Sequence, residues 1–253
     1  MNRFKAALRD GRPQIGVWNS LGGPTACEVL ASRGFDWVVV DTEHAPVDVM
    51  DVLPALQTIA GYPGVSAVVR PAIGDWVVIK RLLDLGAQTL LVPYVQSAEE
   101  AEDLVRAMRY PPRGVRGVAG QSRASRFGLV EGYARDADEE LCLIVQVETR
   151  PALDALEAIA TVEGVDGVFI GPSDLAASLG HPGEPMHPEV VAAIEGAIGR
   201  LKAVGVPAGI LTLNGDFARR CMELGAAFTA VATDVGLLVS AATALRAEFP
   251  SDG

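Results

Sequence analysis

The sequence predicts an α/β fold, a single (β/α)8 TIM barrel, on three observations: eight short apolar runs rich in β-branched residues, a longer Ala/Leu-rich segment after each, and a glycine that repeatedly closes a helix shortly before the next run. The runs are residues 14–19, 37–41, 66–70, 89–93, 141–148, 167–171, 207–211 and 228–232. Most are apolar nearly throughout, as in Trp37-Val38-Val39-Val40, the composition of strands covered on both faces. An open doubly wound sheet carries the same local signal, and eight regular units favour closure. Helices are predicted over 75–85, 98–108, 151–160, 188–204 and 216–224, with Gly34, Gly86, Gly205 and Gly225 at C-cap positions. One stretch breaks the rhythm. Residues 110–138, containing Pro111-Pro112-Arg113-Gly114, are long for a connection between the fourth helix and the fifth strand, and long connections are often functional. A last helix over 235–248, rich in Leu, Val and Ala, is placed to cover its own barrel or that of a partner.

Composition sets the boundaries of function. A chain of 253 residues that is 49% hydrophobic suits one large barrel domain, residues 1–253, and no linker divides it. A formal charge of −11 repels phosphate backbones, which removes nucleic acid as a partner. Cys27, Cys142 and Cys221 form no close pair and no metal-ligand pattern, so a reducing, cytoplasmic setting is expected. Residues 1–10 carry charges among their apolar side chains, unlike a signal peptide. The apolar runs also fall short of a membrane span.

The catalytic end of such a barrel lies at the C-terminal ends of its strands, and here those ends are polar. The second run leads into Asp41-Thr42-Glu43-His44, the third ends on Arg70, the fifth carries Gln146 and Glu148, and the sixth leads into Gly171-Pro172-Ser173-Asp174. Gln146 and Glu148 are two apart and share one face of their strand. A carboxylate on the inner face needs a cation or a charged partner. Glu148 and Asp174 together suit Mg²⁺ or Mn²⁺, hard ions that take oxygen ligands, with Co²⁺ as a further candidate. The plainer reading is that Glu148 pairs with an arginine while Asp174 caps the helix opening at Leu175. His44 is either a hydrogen-bonded turn residue or a proton-transfer group beside Glu43. Arg70 is either half of a salt bridge with Glu43 or Glu148, or a fixed positive charge for a developing oxyanion. His181 and His187, in a Pro/Gly-rich loop, read as surface or packing residues.

Lysine is scarce, and this separates two mechanisms. Lys5, Lys80 and Lys202 are the only lysines, and none is predicted at a strand end, where a Schiff-base lysine would have to sit. A carbanion beside a carbonyl would then be stabilised by a Lewis-acidic metal. The segments after the seventh and eighth runs, Leu211-Thr212-Leu213-Asn214-Gly215 and Ala232-Thr233-Asp234, lack a glycine-rich nest, which argues against a phosphorylated substrate.

Over essentially its whole length the chain resembles the HpcH/HpaI aldolase family of metal-dependent pyruvate aldolases. The resemblance is carried by Trp37 through Pro46, Val69-Arg70-Pro71, Gly86 through Pro93, Arg109 through Gly114, Val145-Gln146-Val147-Glu148-Thr149 and Gly171-Pro172-Ser173-Asp174-Leu175. It implies that Glu148 and Asp174 hold the metal, that pyruvate chelates it, and that Arg70 stabilises the enolate oxygen. It also implies that Gln146 and the Ser173 region contact the 2-oxo acid, that His44 and Asp84 form a dyad for the aldol hydroxyl proton, and that Arg123 reaches a neighbouring subunit's site. Trp18 and Leu211 are expected around the aldehyde. Related barrels exchange their last helix and assemble as hexamers, so a homo-oligomer is expected. Two rival readings are an acyl-CoA carbon-carbon lyase of the malyl-CoA type, disfavoured by the negative charge, and a non-catalytic barrel that binds a 2-oxo acid, which would have no use for His44 and Asp84.

Overall fold

A computed structural model describes residues 2–249. In chain order the elements are α1 (Arg3–Arg9), β1 (Gln14–Asn19), α2 (Pro24–Ala31), β2 (Trp37–Asp41), α3 (Val49–Ile59), β3 (Ser66–Arg70), α4 (Trp76–Asp84), β4 (Thr89–Val92) and α5 (Ala98–Met108). A short 3-10 turn (Arg123–Ser125) precedes α6 (Tyr133–Glu140), β5 (Cys142–Val147), α7 (Arg150–Asp154), α8 (Leu156–Ala160), β6 (Gly167–Ile170) and α9 (Pro172–Ser178). The remainder is α10 (Pro188–Ala203), β7 (Ala208–Leu211), α11 (Gly215–Leu224), β8 (Ala226–Thr233) and α12 (Asp234–Ala247). Strands β1 to β8 pair in sequential order and in parallel, and β8 closes onto β1. The predicted (β/α)8 barrel is the observed fold.

Local sequence explains the helix boundaries. Asp48 and Asp51 form a capping box at the start of α3, Ser97 accepts from the Glu100 amide at the start of α5, and Asn214 caps α11, which stops at Gly225 in the left-handed region. Three features depart from the expected elements. The predicted helix over 151–160 is two short helices that meet at Ala155, the long connection contains α6, and α1 precedes the first strand.

Two apolar cores follow from strand alternation. Val38, Val40, Val69, Leu90, Val92, Val145, Val147, Val168 and Ile170 point outward into the layer beneath the helices. The inward set fills the barrel with Trp18, Trp37, Val39, Val68, Leu91, Ile144, Phe169 and Phe228. Gly209 leaves the volume that the Phe228 ring occupies, since a Cβ there would lie 2.0 Å from a ring carbon. At the N-terminal end of the strands α1 closes the barrel: Phe4 packs edge-on against Trp37 and Phe228, with centroids 5.6 and 5.5 Å away. Lys5 is buried there, donating to the Leu141 carbonyl and pairing with Asp166 at 3.2 Å, and Asn2 donates to Thr89 at 2.9 Å. All three cysteines are free and buried.

Helix α12 is different. Of its residues only Asp234 is buried, while Leu237, Leu238, Val239 and Leu245 are each about half exposed or more. Asp234 itself is fixed, accepting from Asn19 Nδ2 at 2.7 Å and from the amides of Ser20 and Leu21. Among the described residues no helix is long and apolar enough to cross a membrane.

Candidate active site

The inward alternation changes chemistry toward the C-terminal end of the barrel. Above Val39 comes Asp41, above Val68 comes Arg70, and above Ile144 come Gln146 and Glu148. These four polar side chains are 8% exposed or less, so the mouth of the barrel replaces its apolar filling with charge.

Arg70 is the fixed centre. Asp41 lies directly across the β2–β3 ladder, and the guanidinium grips it with two bonds, Nε to Oδ1 at 2.8 Å and Nη2 to Oδ2 at 2.6 Å. Its third nitrogen, Nη1, lies 2.7 Å from Glu43 Oε2, a charge contact rather than an aligned hydrogen bond. The guanidinium also stands 4.9 Å above the Trp18 ring, whose Nε1 donates to Asp41. Burial acts to raise the Asp41 carboxyl, but Arg70 outweighs it and holds the group below the ordinary aspartate value. Trp18 is thus a buried platform for Arg70, set between Phe169 and Trp37 in the barrel filling. Leu211, half-buried, packs against the same layer.

Glu148 sits one residue past β5 and has no cationic partner among the described residues. Gln146 Nε2 donates to its Oε2, and the Tyr94 amide donates to Oε1 at 2.8 Å. Tyr94 holds the left-handed backbone conformation, with φ at 60°, at the turn beyond β4. Burial, with Asp174 close by, pushes the Glu148 carboxyl up to about 7. Gly171 provides the space, since a Cβ at that position would stand 2.4 Å from Glu148 Oε2. Burial also raises Glu43, against the pull of Arg70 and His44 and with the push of Asp41 and Asp174. Ser173 and Asp174 are exposed in the first turn of α9. His44 is exposed, with Nε2 3.7 Å from Glu43 Oε1.

The mouth therefore gathers Asp41, Glu43, Glu148 and Asp174 around one guanidinium, and Asp41 already engages two of that guanidinium's nitrogens. The surplus of carboxylate oxygen, the Glu148 carboxyl raised by burial, the buried and unpartnered Gln146 Oε1 and the small Gly171 fit a hard divalent cation. Lys5 is committed to the opposite end of the barrel, Lys80 stands over Trp76 at 5.1 Å, and Lys202 lies in the last turn of α10, so no lysine serves the mouth. One cluster outside the mouth brings metal-ligand types together, His181, His187 and Glu189. Its rings stack at 3.5 Å and 17°, Glu189 is shared between His181 and Arg150, and His187 also caps α10.

Two expected site residues lie elsewhere in the chain. Asp84 ends α4 and Arg123 lies in the long connection; α4 runs back along the barrel from the C-terminal ends of the strands, so both stand toward the opposite end from His44. Asp84 pairs with Arg116 at 2.7 Å, and Arg123 donates to the Leu85 carbonyl at 2.8 Å. Within one chain the structure brings together Trp18, His44, Arg70, Gln146, Glu148, Ser173, Asp174 and Leu211, but not Asp84 or Arg123. Sequence reasoning did not find Asp41 as the main partner of Arg70, nor the Tyr94 amide on Glu148. The first was legible from the equal position of Asp41 and Arg70 at the ends of consecutive strands. The second had no side-chain signal.

Fold and mouth define a (β/α)8-barrel enzyme with an acidic catalytic end. The chain belongs to the HpcH/HpaI aldolase/citrate lyase family, whose model matches residues 14–241. It is 63% identical over 249 residues to a pyruvate aldolase of Rhizobium etli, covering 98% of each chain. It is 54% identical to a hydroxypyruvate/pyruvate aldolase of Sagittula stellata, again covering 98% of each. A solved HpcH/HpaI aldolase/citrate lyase family protein from Burkholderia cenocepacia superposes with a TM-score of 0.94 at 40% identity, over 98% of this chain and 99% of that one.

Proposed function

We propose that this chain is a metal-dependent aldolase that joins the enolate of pyruvate or hydroxypyruvate reversibly to an aldehyde, and so acts on 4-hydroxy-2-oxo acids. The observation that carries the reading is the buried Glu148, whose hydrogen-bond partners are the Gln146 side chain and the Tyr94 amide, at the same barrel mouth as an arginine locked in place by Asp41. Glu148 and Asp174 would hold Mg²⁺ or Mn²⁺, with Co²⁺ an alternative. When bound, such an ion supplies Lewis acidity toward the carbonyl and carboxylate of the 2-oxo acid.

The residues divide the work by position. Arg70 has five N–H groups, and Asp41 and Glu43 do not use them all, which leaves donors for the 2-oxo oxygen, where negative charge gathers as the C3–C4 bond breaks. Because Asp41 and Trp18 fix the guanidinium beforehand, no reorganisation is needed as that charge develops. Gln146 and Ser173 orient the 2-oxo acid, and Leu211 lies beside the aldehyde end. In cleavage His44 takes the proton of the C4 hydroxyl, the electron pair of the C3–C4 bond moves to the donor fragment, and the aldehyde leaves. Synthesis reverses these steps. Asp84 and Arg123 complete this site from a second copy of the chain, consistent with their distance from His44 in their own. A homo-oligomer, a hexamer with exchanged α12 helices, would also cover the apolar side chains of α12.

The test is hydrogen–deuterium exchange at the pyruvate methyl, followed by NMR. Exchange that requires added Mg²⁺ or Mn²⁺ and is lost in Glu148→Ala and Arg70→Ala is expected. His44→Ala should keep exchange and lose cleavage, by about 10²-fold or more. Exchange by stripped protein at the full rate, or undiminished in Glu148→Ala, would overturn the metal-enolate reading.

A further inference from the structure

The long connection between α5 and α6 contains the only fully buried arginine among the described residues. Arg116 is 0% exposed, with its guanidinium 4.5 Å over the Tyr110 ring and 6.0 Å from that of Tyr133. The two tyrosines meet edge to face at 6.5 Å, making two walls of a box. Burial keeps the Tyr110 phenol above its ordinary pKa, despite the nearby guanidinium. The backbone enters the box from a fixed base: the Val115 and Arg116 amides donate to the Arg106 and Arg109 carbonyls at 2.8 and 2.9 Å.

The bonding of Arg116 is lopsided. Nη2 donates to Asp84 Oδ1 at 2.7 Å, while Nε and Nη1 are buried without a partner. Burying an ion is costly, and the cost is recovered only when its hydrogen-bonding groups are satisfied, so a leucine or methionine would serve packing better here. Among the described residues its one side-chain hydrogen bond goes to Asp84. The same corner is fixed a second time, since Arg123 donates to the Leu85 carbonyl just past the end of α4 and packs over Gly86, where a Cβ would lie 2.6 Å from Arg123 Nη1. Asp84, about a quarter exposed, is thus set by its backbone and by one of its two oxygens, which leaves Oδ2 to an outside group.

We propose that Arg116 is a positioning residue for the aldol step: from its tyrosine box it grips one oxygen of Asp84 so that the other is presented, at a set place, to His44 of a second copy of this chain. The inference rests on the reading that His44 and Asp84 work as a pair. Cation–π contact and a planar fork restrict the guanidinium more than an ammonium would be, which is why arginine and not lysine occupies the box.

The experiment uses the full-length protein and compares two rates, aldol cleavage and pyruvate methyl exchange, in Asp84→Asn, Arg116→Met and the double variant. Asp84→Asn should lower cleavage by about 10²-fold, the scale of a proton-transfer partner, with exchange within about twofold of the parent. Arg116→Met should lower cleavage by about tenfold with exchange retained, and the double variant should be no worse than Asp84→Asn, because a clamp has nothing to hold once the carboxylate is gone. Retained exchange certifies a folded site. If Arg116→Met does not yield soluble protein, Arg116→Lys carries the comparison, with a cleavage loss of about threefold and the same lack of additivity. Full cleavage in Asp84→Asn would overturn the pairing itself. Loss in Asp84→Asn with none in the Arg116 variants, equal loss of both rates, or multiplied losses in the double variant would each overturn the role of Arg116 alone.

Discussion

The two ends of this barrel are built from the same alternating strands and reach opposite electrostatic solutions. At the N-terminal end the buried charge is answered: Lys5 has Asp166 and a carbonyl, Asp166 also accepts the Leu143 amide, and Phe4 packs against Trp37 and Phe228. At the C-terminal end Glu148 is buried with amide donors only, Glu43 is raised by burial, and Tyr94 holds an uncommon backbone conformation. One end is finished by the chain itself, and at the other the carboxylates outnumber the cationic side chains. In the function proposed above, stability belongs to the plugged end and chemistry to the open one.

Three measurements break or sharpen this contrast. The largest effect is expected at the plug: Phe4→Ala empties a fully buried ring site and should cost about 3–5 kcal/mol in denaturant unfolding, while the folded fraction keeps its KM. A changed KM with unchanged stability would reverse the assignment. Next comes the open end, where Glu148→Gln should alter how stability responds to pH in metal-free protein. A carboxyl raised in the folded state from 4.5 to about 7 binds its proton more tightly folded than unfolded, so its ionisation costs stability as pH rises through that window. From pH 4.5 to 8 the parent should lose about 3 kcal/mol relative to the variant, and saturating Mg²⁺ should erase the difference. A flat difference would mean that Glu148 is ionised without cost. The smallest effect belongs to the histidine stack at the rim. His187→Ala removes a helix cap worth about 1 kcal/mol and should leave turnover within about twofold. A larger loss of turnover would draw this cluster into the site.

The strands were legible because barrel strands are apolar on both sides and short, so β1, β2 and β3 begin and end where the residue pattern does. Period-two spacing also put Gln146 and Glu148 on one face. What the sequence left open was pairing between strands: Arg70 had Glu43 or Glu148 as candidate partners, and the ladder register, Asp41 opposite Arg70, made Asp41 the principal one, with Glu43 second. The split of the 151–160 helix at Ala155 and the seven-residue α1 escaped notice because each piece is too short to display a helical period. Asp84 was foreseeable as remote from His44 in its own chain, since Leu85 and Gly86 end its helix on the side from which β4 departs.

The anchoring of α12 bears on how the proposed assembly would behave. Its first residue is tied to β1 and to the following loop through Asp234, while Leu237, Leu238 and Val239 lie about half exposed along the helix. If a second copy covers that face, as in the assembly proposed above, the free energy of the folded state contains a mass-action contribution. Heat resistance would then be a property of the solution as well as of the chain, rising with concentration and falling on dilution even with every internal contact of the barrel intact.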